Sequence, residues 1–175
     1  MCLAPLILVL AASGCSLPQA AIPPGQTGAS VAPSTLAPSS TAPSTGLAAI
    51  QACDLLTAQE ATTLGVPAQG EADSIAGLRR CDWTSLGGGG VSIAIDEQDG
   101  IDKLNLADAS SVTDITIGRH RAKRAVETSG PGYCRIDFAV GDTASVGVQA
   151  LYLDDTPQAC AAVDKAAAFV EPKLP

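Results

Sequence analysis

The residue whose surroundings most clearly specify a chemistry is Cys15. It closes the run Leu10-Ala11-Ala12-Ser13-Gly14-Cys15, in which an apolar stretch beginning at Leu6 gives way to small residues and then a thiol. That is the layout of a bacterial lipobox. The reaction it serves transfers a diacylglyceryl group to Sγ of Cys15 as a thioether, and cleavage then leaves Cys15 as the first mature residue. The apolar run has the length of a signal-peptide core and falls well short of the ~20 apolar residues a spanning helix needs. A cleaved signal over residues 1–14 is expected, not a membrane-crossing anchor. No Lys or Arg precedes the apolar run, where a signal normally carries positive charge, so the start is expected upstream of Met1 or the chain is truncated. The competing reading is a plain secretory signal that leaves Cys15 an ordinary thiol. A single acyl chain, at ~0.8 kcal/mol per buried methylene, holds weakly, so a stable anchor implies multiple acylation.

The chain has six cysteines, of which Cys2 lies in the signal and Cys15 at the lipid site. Cys53, Cys81, Cys134 and Cys160 remain, an even set in an exported domain, and oxidising compartments favour disulfides. Their spacings are long and lack the C-x-x-C pairs of structural zinc sites, so two bridges are expected and no metal. Three connectivities are possible. Cys53–Cys81 with Cys134–Cys160 is preferred, because each bond would tie a helix to a nearby strand; loops of that size contribute ~3 kcal/mol each in the chain-entropy model.

Charge narrows the partners. The net charge of −8 disfavours nonspecific nucleic-acid binding, which needs a basic footprint. The one basic concentration is Arg119-His120-Arg121-Ala122-Lys123-Arg124. On a regular strand Arg119, Arg121 and Lys123 would share a face, with His120 and Arg124 on the other. Three cations cannot be core, so Arg119, Arg121, Lys123 and Arg124 form a candidate patch for an anionic partner, against the plainer outcome of pairing with the domain's own carboxylates. His120 is the only histidine. Nothing places a serine and an acid beside it, and no Gly-x-Ser-x-Gly elbow exists. Asp96-Glu97-Gln98-Asp99-Gly100 with Asp102 departs from the calcium-loop spacing and reads as a solvated turn. Gly87-Gly88-Gly89-Gly90 lacks the Lys-Ser/Thr of a phosphate loop and reads as a hairpin turn. Trp83 beside Cys81 reads as core rather than a ligand platform. No catalytic set and no cofactor is implied.

The elements that must position these groups follow from pattern. Residues 15–46 carry repeated Ala-Pro-Ser units and no charge, too little apolar mass to offset ordering entropy; they read as a disordered tether, extending ~3 Å per residue where stretched. Residues 47–175 have the length of one domain. Thr57-Ala58-Gln59-Glu60 is a capping box opening a short helix that ends at Leu64, with Gly65 as C-cap. Strands are expected over 80–85, 91–96, 134–140 and 145–153 from alternation. One long strand or two should span 112–126, with Gly118 a bulge. Thr156 should cap a final helix with Pro157 at its first position and an apolar stripe of Ala159, Cys160, Val163, Ala166, Ala167 and Val170. The fold class is α+β, an antiparallel sheet with a short N-terminal and a longer C-terminal helix on one face.

Cys53-Asp54-Leu55-Leu56-Thr57-Ala58-Gln59-Glu60, then Leu64-Gly65, then Cys81-Asp82-Trp83 resemble the signature of the actinobacterial lipoproteins of domain of unknown function 3558 (DUF3558). Ile117-Gly118-Arg119 and the alternating segment after Cys134 are similar to that family's later strands, and the lipobox and tether fit it too. The resemblance implies a cell-envelope lipoprotein of high-GC Gram-positive origin with no assigned activity or catalytic residues, and it supports the Cys53–Cys81 pairing. The expected function is a noncatalytic binding or interaction domain, held by lipid on the outer face of the cytoplasmic membrane and docking an envelope protein, lipid or wall glycan. The alternative is a tethered hydrolase or glycan-processing enzyme, which would need two carboxylates at glycosidase separation or a serine near His120.

Overall fold

The computed structural model describes residues 46–175; the expected signal, Cys15 and most of the tether lie outside the described residues. The strands are β1 (Glu71–Ile75), β2 (Leu78–Thr84), β3 (Gly90–Asp96), β4 (Ser111–Ile117), β5 (His120–Val126), β6 (Tyr133–Val140) and β7 (Ala144–Leu151). Helix α1 (Ala58–Thr63) precedes them, after two 3-10 turns, and helix α2 (Thr156–Val170) follows. The strands form one seven-stranded sheet in the order β1-β2-β3-β7-β6-β5-β4, antiparallel at every pairing. This is the expected mixed α+β architecture.

Paired residues of antiparallel strands point to the same face, so the register can be read as rows across the sheet. The row Cys81–Ile93–Val148–Ile136 is buried throughout. Helix α2 lies against β6 and β7 on this face, and its Ala159, Val163, Ala166, Ala167 and Val170 are fully buried. Alanines let the helix approach closely, while Phe138 and Trp83 supply bulk that the aliphatic residues lack. Both disulfides sit here. Cys53, on the 3-10 turn Ala52–Leu55, is bonded to Cys81 of β2, and Cys160 of α2 is bonded to Cys134 of β6. At α1 the capping box is complete: Glu60 N–H donates to Thr57 Oγ1 (3.2 Å) and Thr57 N–H to Glu60 Oε2 (2.7 Å).

Two local expectations need correction. Gly118 is not a bulge. Ile117 pairs with His120, so Gly118, at φ 54°, opens a two-residue hairpin turn between β4 and β5, where glycine adopts a positive φ without a Cβ penalty. The cap of α2 is Asp155, whose side chain accepts from Gln158 N–H at 2.9 Å. Thr156 instead donates to Glu127 Oε1 and accepts from Gly132 N–H, both at 2.9 Å. Strand β1 is an addition to the expected strands; it lacks any alternation, because all five of its residues are exposed at the sheet edge.

One connection decides which part of the other face stays open. Strand β3 ends at Asp96, opposite Ser145, whereas β4 begins at Ser111, opposite Val126, at the other end of the sheet. Residues 97–110 therefore cross the face that lacks helices. Ser145 Oγ donates to the Asp99 carbonyl at 2.8 Å, Ile101 is buried, and Asp102 reaches Lys123 at 3.5 Å and Arg121 at 3.9 Å. This strap lies over the β5 side and leaves a strip over β2, β3 and β7 uncovered.

Candidate functional site

The uncovered strip is built on two rows. One runs Asp82–Ser92–Gln149–Arg135 across β2, β3, β7 and β6, and the next runs Arg80–Ala94–Gly147–Asp137. Its floor is Ser92, Ala94, Gly147 and Gln149, and an arginine stands on each bank. Two adjoining hollows of about 110 and 190 Å³ occupy it and share Arg80, Ser92 and Gln149. Tyr133, Thr84 and Leu151 line one end, and Ile75 and Leu78 the other.

Each arginine is held by the aspartate two residues on, which strand geometry places on the same face. Arg135 forms a forked pair with Asp137: Nε donates to Oδ2 and Nη2 to Oδ1, both at 2.6 Å. Arg80 donates Nε (2.8 Å) and Nη2 (2.6 Å) to Oδ1 of Asp82. Asp137 is fully buried while Arg135 keeps 28% of its side chain exposed. Burial pushes the Asp137 carboxyl above its ordinary range, and the Arg135 guanidinium only partly offsets that. Desolvating a carboxylate costs several kcal/mol, which an apolar residue of similar volume would avoid. What the chain gains is a guanidinium of fixed orientation. Gly147 makes the pair possible, since a Cβ there would lie 2.6 Å from Asp137 Oδ1.

The sequence signals for this site are the two Arg-x-Asp triplets, Arg80-Cys81-Asp82 and Arg135-Ile136-Asp137, and the isolated glycine between Val146 and Val148. A lone strand glycine marks a close approach of other groups. Reading the segments one at a time could not bring the triplets together, because β2 and β6 meet across two intervening strands.

The basic segment is divided by the fold. Arg119 lies in the β4–β5 turn, not on the strand; its Nη2 donates to the Leu174 carbonyl at 2.6 Å and its N–H to Glu171 Oε1 at 2.9 Å. Arg124 faces α2 and meets Asp164 at 3.0 Å. Arg121 and Lys123 share the open face, Lys123 pairing with Asp114 at 2.9 Å as well as with the strap's Asp102. The hydrogen bond from Lys123 to Asp114 raises the lysine's pKa. All four cations thus have internal partners. His120 is buried against Phe138 in an edge-on contact with ring centroids 6.3 Å apart. Its Nδ1 lies 2.8 Å from Glu171 Oε1 and its Nε2 3.1 Å from the Pro175 carbonyl, so both ring nitrogens serve to clamp the segment after α2. Asp96 closes its own turn by accepting from Gln98 and Asp99 N–H, and Trp83 is core. No group of three or more metal-ligating side chains gathers among the described residues, and no helix among them is long and apolar enough to cross a membrane.

A family model described as protein of unknown function (DUF3558) matches residues 10–173. The chain belongs to the DUF3558 family. The match includes Cys15 as well as both disulfides and both Arg-x-Asp triplets. No curated protein and no solved structure matches the chain.

Proposed function

We propose that this chain is a lipid-anchored envelope protein, held through Cys15, whose domain is a noncatalytic binding module using the open strip of its sheet. The observation that carries the reading is the pair of aspartate-held arginines facing each other over a floor of small residues. Preorganised forks with one edge left to solvent suit planar or hydroxyl-bearing ligands, and a fully buried carboxylate devoted to orienting one of them is a costly feature for plain scaffolding. The two disulfides fit an oxidising compartment, and the run before Cys15 supplies the attachment.

The test is photo-crosslinking in intact cells. p-Benzoylphenylalanine in place of Ser92, on the strip, should capture an envelope component that the same residue in place of Lys165, exposed on α2, does not. Equal capture from both positions, or none from Ser92, overturns the assignment of the strip. Cys15→Ala should release or misprocess the protein, and unchanged membrane retention overturns the anchor.

A further inference from the structure

The row through Arg80 crosses the whole sheet as Asp73–Arg80–Ala94–Gly147–Asp137–Lys123–Asp114. It carries charge at every strand except β3 and β7, where Ala94 and Gly147 leave a gap. On one bank of the gap stands Arg80. On the other, the guanidinium of Arg135 leans in from the neighbouring row, its Nη2 only 3.4 Å from where a Gly147 Cβ would lie. Both groups line one hollow with Ala94 and Gly147 as its floor. Read along the surface, the signs run minus, plus, gap, plus, minus, plus, minus. A single anion in the gap makes the alternation complete.

We propose that the gap is an oxyanion site, taking a carboxylate or a phosphate group; this rests on the reading of the strip as the ligand-binding face and names its ligand class. The donors are in place. Arg80 and Arg135 commit Nε and Nη2 to Asp82 and Asp137, and the Nη1 of each makes no hydrogen bond among the described residues. Two guanidinium groups lining one hollow, each with an uncommitted nitrogen, are the groups that recognise oxyanions by charge-assisted bonds. Ser92 and Gln149, one row up, add neutral donors. Asp82 and Asp137 hold the arginines; Asp137 Oδ1 lies over Gly147, 2.6 Å from where its Cβ would be, so the place for the anion is the Ala94 side of the hollow that Arg80 and Arg135 line. In a chain of net charge −8, anion binding has to be a property of such a built site, since the overall field repels anions.

The test is an NMR titration of the full chain in octaethylene glycol dodecyl ether micelles, with inorganic phosphate, with acetate and with neutral chitotriose, at constant ionic strength. Phosphate or acetate should give saturable shifts centred on the amides of Ser92, Ala94, Gly147 and Gln149, and the tighter of the two names the source chemistry. Arg80→Gln should weaken binding about tenfold. Arg135→Lys, which leaves Asp137 a cation but loses the fork, should weaken it several-fold, while Arg121→Gln, beside the strap, should leave it unchanged. Non-saturating shifts, shifts centred on Arg121 and Lys123, or indifference to Arg80→Gln and Arg135→Lys overturn the proposal. Chitotriose moving the strip amides while neither anion does also overturns it, yet leaves the strip as a binding face; failure of the Ser92 crosslink is the separate result that removes the face itself.

Discussion

Gly147→Ala tests the construction of the strip more sharply than removal of any charge. The added Cβ would lie 2.6 Å from Asp137 Oδ1 and 3.4 Å from Arg135 Nη2, so Oδ1 has to withdraw by about 0.8 Å to regain ordinary contact (3.4 less 2.6 Å). Withdrawal is obstructed: Asp137 is fully buried, and β6 is paired on both sides. If the fork survives under strain, the cost is that of overpacking, roughly 1–3 kcal/mol. If it breaks, a buried carboxylate is left unpartnered, at about 3–5 kcal/mol. The expected loss is therefore about 2–4 kcal/mol, read in urea unfolding of the oxidised protein as a lower midpoint at unchanged slope. The decisive control is the same substitution in an Asp137→Ala background. There the Cβ meets space, and Gly→Ala in a strand becomes neutral or stabilising by about 0.5–1 kcal/mol, so the two changes should be strongly coupled. A loss that is small in the native background, or that persists once the carboxylate is gone, refutes the reasoning.

The bridges and one acidic residue yield two further expectations. The disulfides close loops of nearly equal length, with separations of 28 and 26 residues, so Cys53→Ala/Cys81→Ala and Cys134→Ala/Cys160→Ala should each cost about 3.5 kcal/mol by the loop-entropy relation; calorimetry showing under about 1 kcal/mol for either pair would contradict it. At Glu60, burial pushes the carboxyl up, but hydrogen bonds from Lys173 (2.6 Å) and from Thr57 outweigh it and hold the net value below the ordinary 4.5. A carboxyl depressed in the folded state stabilises above its unfolded pKa, and that stability is lost as pH falls through the folded value. The deficit of Glu60→Gln should thus be full at neutral pH and vanish well below the carboxylate range, and thermal melts showing a constant deficit would refute it.

How much of this was legible in the sequence depended on whether a segment buries one face. Strands β3, β6 and β7 bury alternate residues against α2, so Val91-Ser92-Ile93-Ala94-Ile95 and its counterparts announced themselves. Strand β1 buries nothing, and Glu71-Ala72-Asp73-Ser74-Ile75 carries no period to detect. Alternation changes phase at a bulge and at a hairpin turn alike, and only the Ile117–His120 pairing separates the two at Gly118. Asp155 and Thr156 are both good caps, and the choice fell to Asp155 because Thr156 is drawn away to Glu127 and Gly132. The basic segment was visible as charge, but its division between the open face, the α2 face and a turn depended on that same hairpin. Asp137 alternates with Ile136 and Phe138, which is the local pattern of a solvated strand residue. That it is buried follows from long-range contacts that no local pattern encodes.

The position of the strip is itself a consequence of strand order. Because β7 and β6 insert between β3 and β5, the β3–β4 connection has to travel from one end of the sheet to the other, and the helices already occupy the opposite face. It therefore crosses the polar face, where the cations of β5 anchor its Asp102. Half of that face is thereby closed and the β2–β3–β7 half is left open. The banks of the open half are β2 and β6, and these are the strands that carry Cys81 and Cys134. In each triplet the arginine stands next to the bridged cysteine, Arg80 before Cys81 and Arg135 after Cys134. Neighbouring strand residues point to opposite faces, so each bridge pins the backbone from the helix side at the point where an arginine projects on the other. The proposed binding site depends on donors held at fixed separation, and two disulfides with two buried or half-buried aspartates supply that fixity.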